Sequence, residues 1–439
     1  MLLTGTVVRD STTVVERGAV VVADDRIEAV GPADELVEQY PSHERRDFDI
    51  VAPGIVQSHV HSVQVPGRGL ADDTDLFEWL EEYILPIEAE MTAAELELAS
   101  TLTYIELIEN GTTCCIDHLT VDHSDGAFEA AGEIGIKAAI GNVMMDRESP
   151  EGLLTSTGEA LAESERLLER YHRSFDDRIR YAVTPRFTPT CTEECLRGAR
   201  ELADREEKVR IHTHASENEG VVEFVDETYG TRDIEWLHEV GLTGSDVVLA
   251  HVILTSERER EILAETGTHV CYCPSSNMKI GAGIAPVVDY LDRGINVAVG
   301  NDGAPVNNTM DPFVDVRQAT LLQKIDKRDP TMLPAETVFE MATVNGAEAI
   351  GFEKTGKLEE GWAADVIGLA SDDARTIPMH DAFSHLVYAA TGSDVQFTMV
   401  DGEVLLDGGE ITTVDAESVK NRAREAFPQL AERAHRKHT

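Results

Sequence analysis

The 439-residue chain carries 82 Asp and Glu against 37 Lys and Arg, a formal net charge of −45. A field of that sign repels nucleic acid and anionic membrane surface. No stretch approaches the roughly 20 apolar residues of a membrane helix, and an apolar content of 42% excludes a disordered chain. The acidic residues are spread along the whole chain, as in a solvated surface adapted to high salt.

Residues 1–52 alternate short β-rich runs (Thr6–Val8, Gly18–Val22, Ile27–Val30) with turn residues at Ala23-Asp24-Asp25 and Gly31-Pro32. Beyond them the pattern becomes short apolar runs separated by helical stretches, which predicts a parallel α/β architecture. Eight strands are predicted: Ile50–Val56, Thr112–Asp117, Lys137–Val143, Ile179–Thr184, Val209–His214, Asp246–His251, Thr268–Cys273 and Ile295–Asp302. Thr92-x-x-Glu95 and Ser256-x-x-Glu259 fit helix capping boxes, and Gly111 fits a helix stop. Eight strand–helix units over residues 53–357 predict a (β/α)8 TIM barrel. The β-rich texture returns at Ala364–Leu369, Phe397–Val400 and Glu403–Leu406, with Asp401-Gly402 as a hairpin turn. Residues 1–52 and 358–411 are therefore expected to form one small β-sandwich domain, followed by a helix over 412–439.

Active sites of such barrels lie at the C-terminal ends of the strands, and there the ionisable residues gather. His59 and His61 follow the first predicted strand and Arg186 the fourth. His214 and Glu217 follow the fifth, His251 closes the sixth, Ser275 and Asn277 follow the seventh, and Asp302 ends the eighth. His59-x-His61 alone is a weak signal. With His214 and Asp302 it supplies three imidazoles and a carboxylate, a set suited to one Zn²⁺ per chain, or to Fe²⁺ or another divalent ion. A metal there would lower the pKa of bound water from 15.7 to about 7. Glu217, three residues past His214, reads either as a proton shuttle or as a first-turn helix carboxylate. His251 ends an apolar run and must find polar partners or be a satisfied core histidine. His212 reads as structural, and His118, His123, His172, His238 and His269 as surface or packing residues. The six cysteines include no C-x-x-C pair, and no basic segment followed by an apolar one opens the chain, so a reduced cytoplasmic compartment is expected.

These motifs resemble the amidohydrolase superfamily, and within it the cytosine-deaminase-like and chlorohydrolase-like aminohydrolases. The resemblance rests on Pro53-Gly54-x-Val56-x-x-His59-x-His61, His214-x-x-Glu217, His251, Ser275-x-Asn277-x-Lys279 and Gly300-Asn301-Asp302-Gly303. Thr343-Val344-Asn345-Gly346-Ala347 and Gly356-x-Leu358-x-x-Gly361 extend it along almost the whole chain. It implies a mononuclear metal site at His59, His61, His214 and Asp302, with Glu217, His251 and Asp302 handling protons. Asp72-Asp73, Glu78-Trp79-Leu80, Leu85-Pro86-Ile87-Glu88 and Asn307-Asn308 resemble deaminases of methylthioadenosine, S-adenosylhomocysteine and 5′-deoxyadenosine. In that group the match to Glu88 binds the ribose hydroxyls. Val143-Met144-Met145-Asp146-Arg147 and Thr184-Pro185-Arg186-Phe187 resemble guanine deaminases, in which the match to Arg186 reads the base. Adenosine-type members carry a histidine at that position. The resemblance thus implies a hydrolytic deaminase of a small molecule, foremost a 5′-substituted adenosine, with His214, Glu217, Asp302, Glu88, Arg186 and Arg147 facing substrate. Guanine deaminase, triazine-type hydrolase and catalytically dead scaffold are the alternatives. A homo-oligomer without nucleic-acid or membrane partners is expected.

Overall fold

The computed structural model describes residues 1–438. At its centre stands a ring of parallel strands: Ile55–His61, Thr112–His118, Lys137–Gly141, Ile179–Pro185, Arg210–Ala215, Val247–His251, His269–Tyr272 and a split eighth strand. In the eighth, Val297–Val299 pairs with the seventh strand. Asp302–Gly303 pairs with the first strand, opposite Val60 and His61, and closes the barrel. Parallel strands wrapped by helices have no solvent face, so the second, fourth and sixth are buried at every residue. Both predicted capping boxes form, at Thr92 and at Ser256.

Two predicted strands divide differently. The run Ile50–Val56 is not one strand: Arg45–Pro53 belongs to the small sheet, and the barrel begins at Ile55. Gly54 marks the crossing, since a Cβ there would lie 2.1 Å from Thr113 Oγ1. His59 and His61 therefore lie within the first barrel strand rather than after it. The run Ile295–Asp302 breaks at Gly300-Asn301, which lets its two halves pair on opposite sides.

Apart from the short strand Val143–Met144, which pairs with the fourth barrel strand, the remaining strands form one eight-stranded sheet from both ends of the chain. Its order is Glu410–Ile411, Glu403–Asp407, Val395–Val400, Val366–Leu369, Arg45–Pro53, Leu2–Asp10, Thr13–Ala23, Arg26–Pro32. Asp401 and Gly402 take the positive φ values that a two-residue hairpin turn requires. The sheet curls back on itself: Arg26 bridges to Ala363, and the Ala364 N–H donates to the Asp25 carbonyl. Leu3, Val20, Ile27, Val366, Phe397 and Met399 fill the space enclosed. The last helix, Ala416–His438, packs on Leu85–Glu90 and Ala93–Glu109, where Arg433 bonds Glu95 at 2.7 Å and Lys420 bonds Glu109 at 2.9 Å. Among the described residues no helix is long and apolar enough to cross a membrane.

Candidate metal centre

The strand ends bring His59, His61, His214, His251 and Asp302 together, all buried. Ligand atoms of His59, His61 and Asp302 lie within 4.8 Å of one another, as do those of His59, His214 and His251. Asp302 Oδ1 is 3.5 Å from His59 Nε2 and 3.4 Å from His61 Nε2. His251 and Asp302 both take left-handed backbone (φ 70° and 65°), a conformation that non-glycine residues seldom adopt outside functional or strained sites.

The hydrogen bonds behind the rings decide which nitrogen faces inward. A carbonyl can only accept, so His61 Nδ1–H donates to the His118 carbonyl and His214 Nδ1–H to the Arg186 carbonyl, each at 2.7 Å. His212 Nδ1–H likewise donates to the Val248 carbonyl at 2.9 Å. Its Nε2 is then an acceptor for His59 Nδ1–H at 2.7 Å. Each of His59, His61 and His214 thus turns an Nε2 lone pair to the centre. Two of these, on His61 and His214, face each other across 3.2 Å with no hydrogen to place between them. His59 Nε2 is buried without a hydrogen-bond partner. Facing lone pairs and an orphaned imidazole nitrogen beside a carboxylate are the arrangement a shared divalent cation satisfies, so the residues fit a metal.

The electrostatics agree. Burial holds the His59 pKa below the ordinary value and those of His61 and His214 well below it, in the neutral form that binds metal. Burial pushes Asp302 up, but the close approach of His59 and the other imidazoles around it outweighs this and holds the carboxylate well below its usual range. Glu217, buried 3.7 Å from His251 Nε2, has its pKa raised by burial. His251 is oriented from behind: its Nδ1 bonds Asn277 Oδ1 at 2.9 Å, leaving Nε2 toward Glu217 and, at 3.8 Å, Asp302 Oδ2.

Residues 50–405 match the amidohydrolase family, and residues 18–42 match an imidazolonepropionase-like composite domain. The chain belongs to the amidohydrolase family. It is 38% identical over 410 residues to the 5-methylthioadenosine/S-adenosylhomocysteine deaminase of Syntrophobacter fumaroxidans, covering 93% of this chain and 92% of the relative. It is 37% identical over 437 residues to the 5′-deoxyadenosine deaminase of Methanothermobacter thermautotrophicus, covering 98% of each. Among solved structures, an adenosine deaminase from Xanthomonas campestris with bound zinc superposes with a TM-score of 0.91 at 28% identity, covering 98% of both chains.

In this amidohydrolase the cavity above the centre is lined by His61, His214, Glu217, His251 and Asp302 together with Trp79, Leu80, Arg186, Phe187 and Val306. Arg186 directly follows the fourth strand and lines the cavity. Glu88 does not reach the cavity. Its carboxylate is fully enclosed and accepts from Arg186 at 2.8 and 3.3 Å, Gln64 at 2.9 Å and Thr120 at 3.0 Å. The ribose-binding role expected of Glu88 would need that clamp to open, because its lone pairs are already committed. Arg147 lines neither this cavity nor the one beside it. Its guanidinium donates to the Thr188 and Pro189 carbonyls and to Tyr229 Oη, so it fastens the turn after Arg186.

Two histidines are closer to the centre than their sequence context suggests. His212 is the support of His59 described above. His118, expected at the surface or in packing, is fully buried, its ring centroid 4.7 Å from that of His214. The signal for it was available, since it is the residue after the predicted second strand, where six of the other seven strands place a candidate functional group.

Proposed function

We propose that this chain is a zinc-dependent hydrolytic deaminase that releases ammonia from a 5′-substituted adenosine. The observation that carries the reading is the set of inward Nε2 lone pairs on His59, His61 and His214 around the Asp302 carboxylate, with Glu217 and His251 facing the same space. Its resemblance over nearly full length to deaminases of such nucleosides supports the substrate class.

His59, His61, His214 and Asp302 would hold the ion, which supplies a water activated near neutral pH. His251, its tautomer fixed by Asn277, is placed to take a proton from the attacking water and share it with Asp302. Glu217 has the raised affinity for a proton that lets it deliver one to the ring nitrogen beside the amine-bearing carbon. Water adds its oxygen to that carbon, the second proton passes to the amine, the C–N bond breaks and ammonia leaves with the ring as a lactam. Arg186 is clamped by Glu88 through two of its five N–H groups. Another reaches Met145 Sδ at 3.8 Å, and the remaining two can donate to an acceptor on the substrate, a ring nitrogen of adenine where relatives use histidine.

Ammonia release measured over adenosine, 5′-deoxyadenosine, methylthioadenosine, guanine and melamine, in molar salt, tests the assignment. The adenosine derivatives are expected to be the preferred substrates. Efficient turnover of guanine with none of any adenosine would show that Arg186 reads a purine carbonyl instead.

A further inference from the structure

Beyond the partition made by Leu80, Arg186 and Phe187, the fold leaves a second cavity of about 410 Å³ sharing those three residues with the catalytic one. We propose that this chamber receives the 5′ substituent of the nucleoside and selects tails that are neutral and apolar against tails that carry a carboxylate. The inference rests on the deaminase reading and goes beyond it by choosing among 5′ groups.

Position comes first. The amine-bearing carbon must lie over the histidine cluster, so the sugar end of a purine nucleoside points away from the metal. Leu80, Arg186 and Phe187 line both cavities, which makes the second chamber the neighbouring space for whatever the sugar carries. Its lining is mainly apolar, with Phe77, Leu85, Met145 and Phe224 as the large contributors. Its volume is far more than a methyl needs.

Charge then decides the class of tail. Glu81 and Glu148 also line the chamber. The cation in its wall is Arg186, and Glu88 neutralises it through paired hydrogen bonds. Nearby Arg147 spends its guanidinium on two backbone carbonyls and Tyr229. A carboxylate entering here would lose water and meet two like charges, while the N–H groups that Arg186 keeps free of Glu88 are spent on the adenine ring. An alkyl or alkylthio tail loses nothing and gains burial.

The test compares four substrates with the zinc-loaded protein by ammonia release: 5′-deoxyadenosine, 5′-methylthioadenosine, 5′-butylthioadenosine and 5′-(3-carboxypropylthio)adenosine. KM is expected to fall by about fourfold per added methylene through the neutral series, and the carboxylate analogue to bind at least tenfold more weakly than the butyl one. The double variant Glu81→Lys, Glu148→Lys should reverse the order of the last two. KM values indifferent to the tail, or a wild-type preference for the carboxylate, would overturn the inference while leaving the deaminase reading intact. Ammonia from none of the four nucleosides would overturn that reading, and the inference with it.

Discussion

Two buried clusters of charge lie at opposite ends of the barrel, and they are built on opposite principles. At the N-terminal end of the third strand, Lys137 Nζ donates to both Asp365 oxygens at 2.9 and 2.7 Å and pairs with Asp401 at 2.7 Å. Asp365 also accepts from Thr355 and from the Asp401 N–H. Burial alone would lower the Lys137 pKa, but Asp365 and Asp401 outweigh it and raise it. Opposite charges meet there and the polar groups are answered, so the cluster joins barrel to small sheet. At the C-terminal end three imidazoles crowd one carboxylate, lone pairs face lone pairs, and His59 Nε2 has no partner. Equal burial with complete satisfaction is architecture. Equal burial with deliberate deficit is a binding site.

The sharpest way to test the deficit is to change a residue in it. Glu217→Gln keeps size and hydrogen-bonding shape but cannot carry a proton, so kcat should fall by at least about 10²-fold while elemental analysis still finds one zinc per chain. His59→Ala should remove the metal as well as the activity. Full zinc occupancy in His59→Ala, or normal turnover in Glu217→Gln, would take that residue out of its proposed role.

The contrast was only half legible in the sequence. Metal-competent residues at strand ends could be found because a parallel barrel strand is an apolar run, and a histidine that closes one stands out. His59, His61, His214, His251, Glu217 and Asp302 were all visible this way. Residues acting one layer further back were not: His212 looks like an inward strand residue until its ring is seen bridging the Val248 carbonyl to His59. Glu88 shows the opposite failure. Its motif suggests a free carboxylate, whereas its partner Arg186 lies 98 positions away, and no local pattern reveals that the two close on each other. The first-strand boundary slipped for a related reason, since residues 50–53 at the end of one strand and residues 55–56 at the start of the next are both apolar and only the close approach of Gly54 to Thr113 separates them.

Breaking the satisfied cluster should give the complementary result. Lys137→Met leaves Asp365 buried without a cation, beside an Asp401 that keeps only Arg178 at 3.6 Å, and removing one partner of a buried ion pair costs about 3 to 5 kcal/mol. The urea midpoint should drop accordingly, while kcat and KM of the folded enzyme stay at wild-type values. Loss of activity without loss of stability would mean that the two ends of the barrel are coupled.

The smallest effect concerns a histidine from the satisfied class, His269, and shows itself through pH. Its Nε2–H donates to the Ser245 carbonyl at 3.1 Å, and its Nδ1 accepts from Asn296 Nδ2 at 2.8 Å. Both nitrogens are used by a neutral ring, and a proton on Nδ1 would confront the Asn296 amide. Burial, above all, lowers the pKa from 6.5 to about 4. Between those values the unfolded chain holds a proton that the folded chain refuses, so stability rises with pH across the window. It is complete above about 6.5 and is lost as pH falls toward 4, a swing of about 3 kcal/mol from this residue. His269→Gln removes the titration, so its unfolding free energy should change less than that of wild type between pH 7 and pH 4.5, whatever it has lost at pH 7. The comparison uses the difference between two slopes, which cancels the contribution of the other buried histidines. Parallel slopes would show that His269 accepts its proton without unfolding the chain, and that its hydrogen bonds to Ser245 and Asn296 do not hold it neutral.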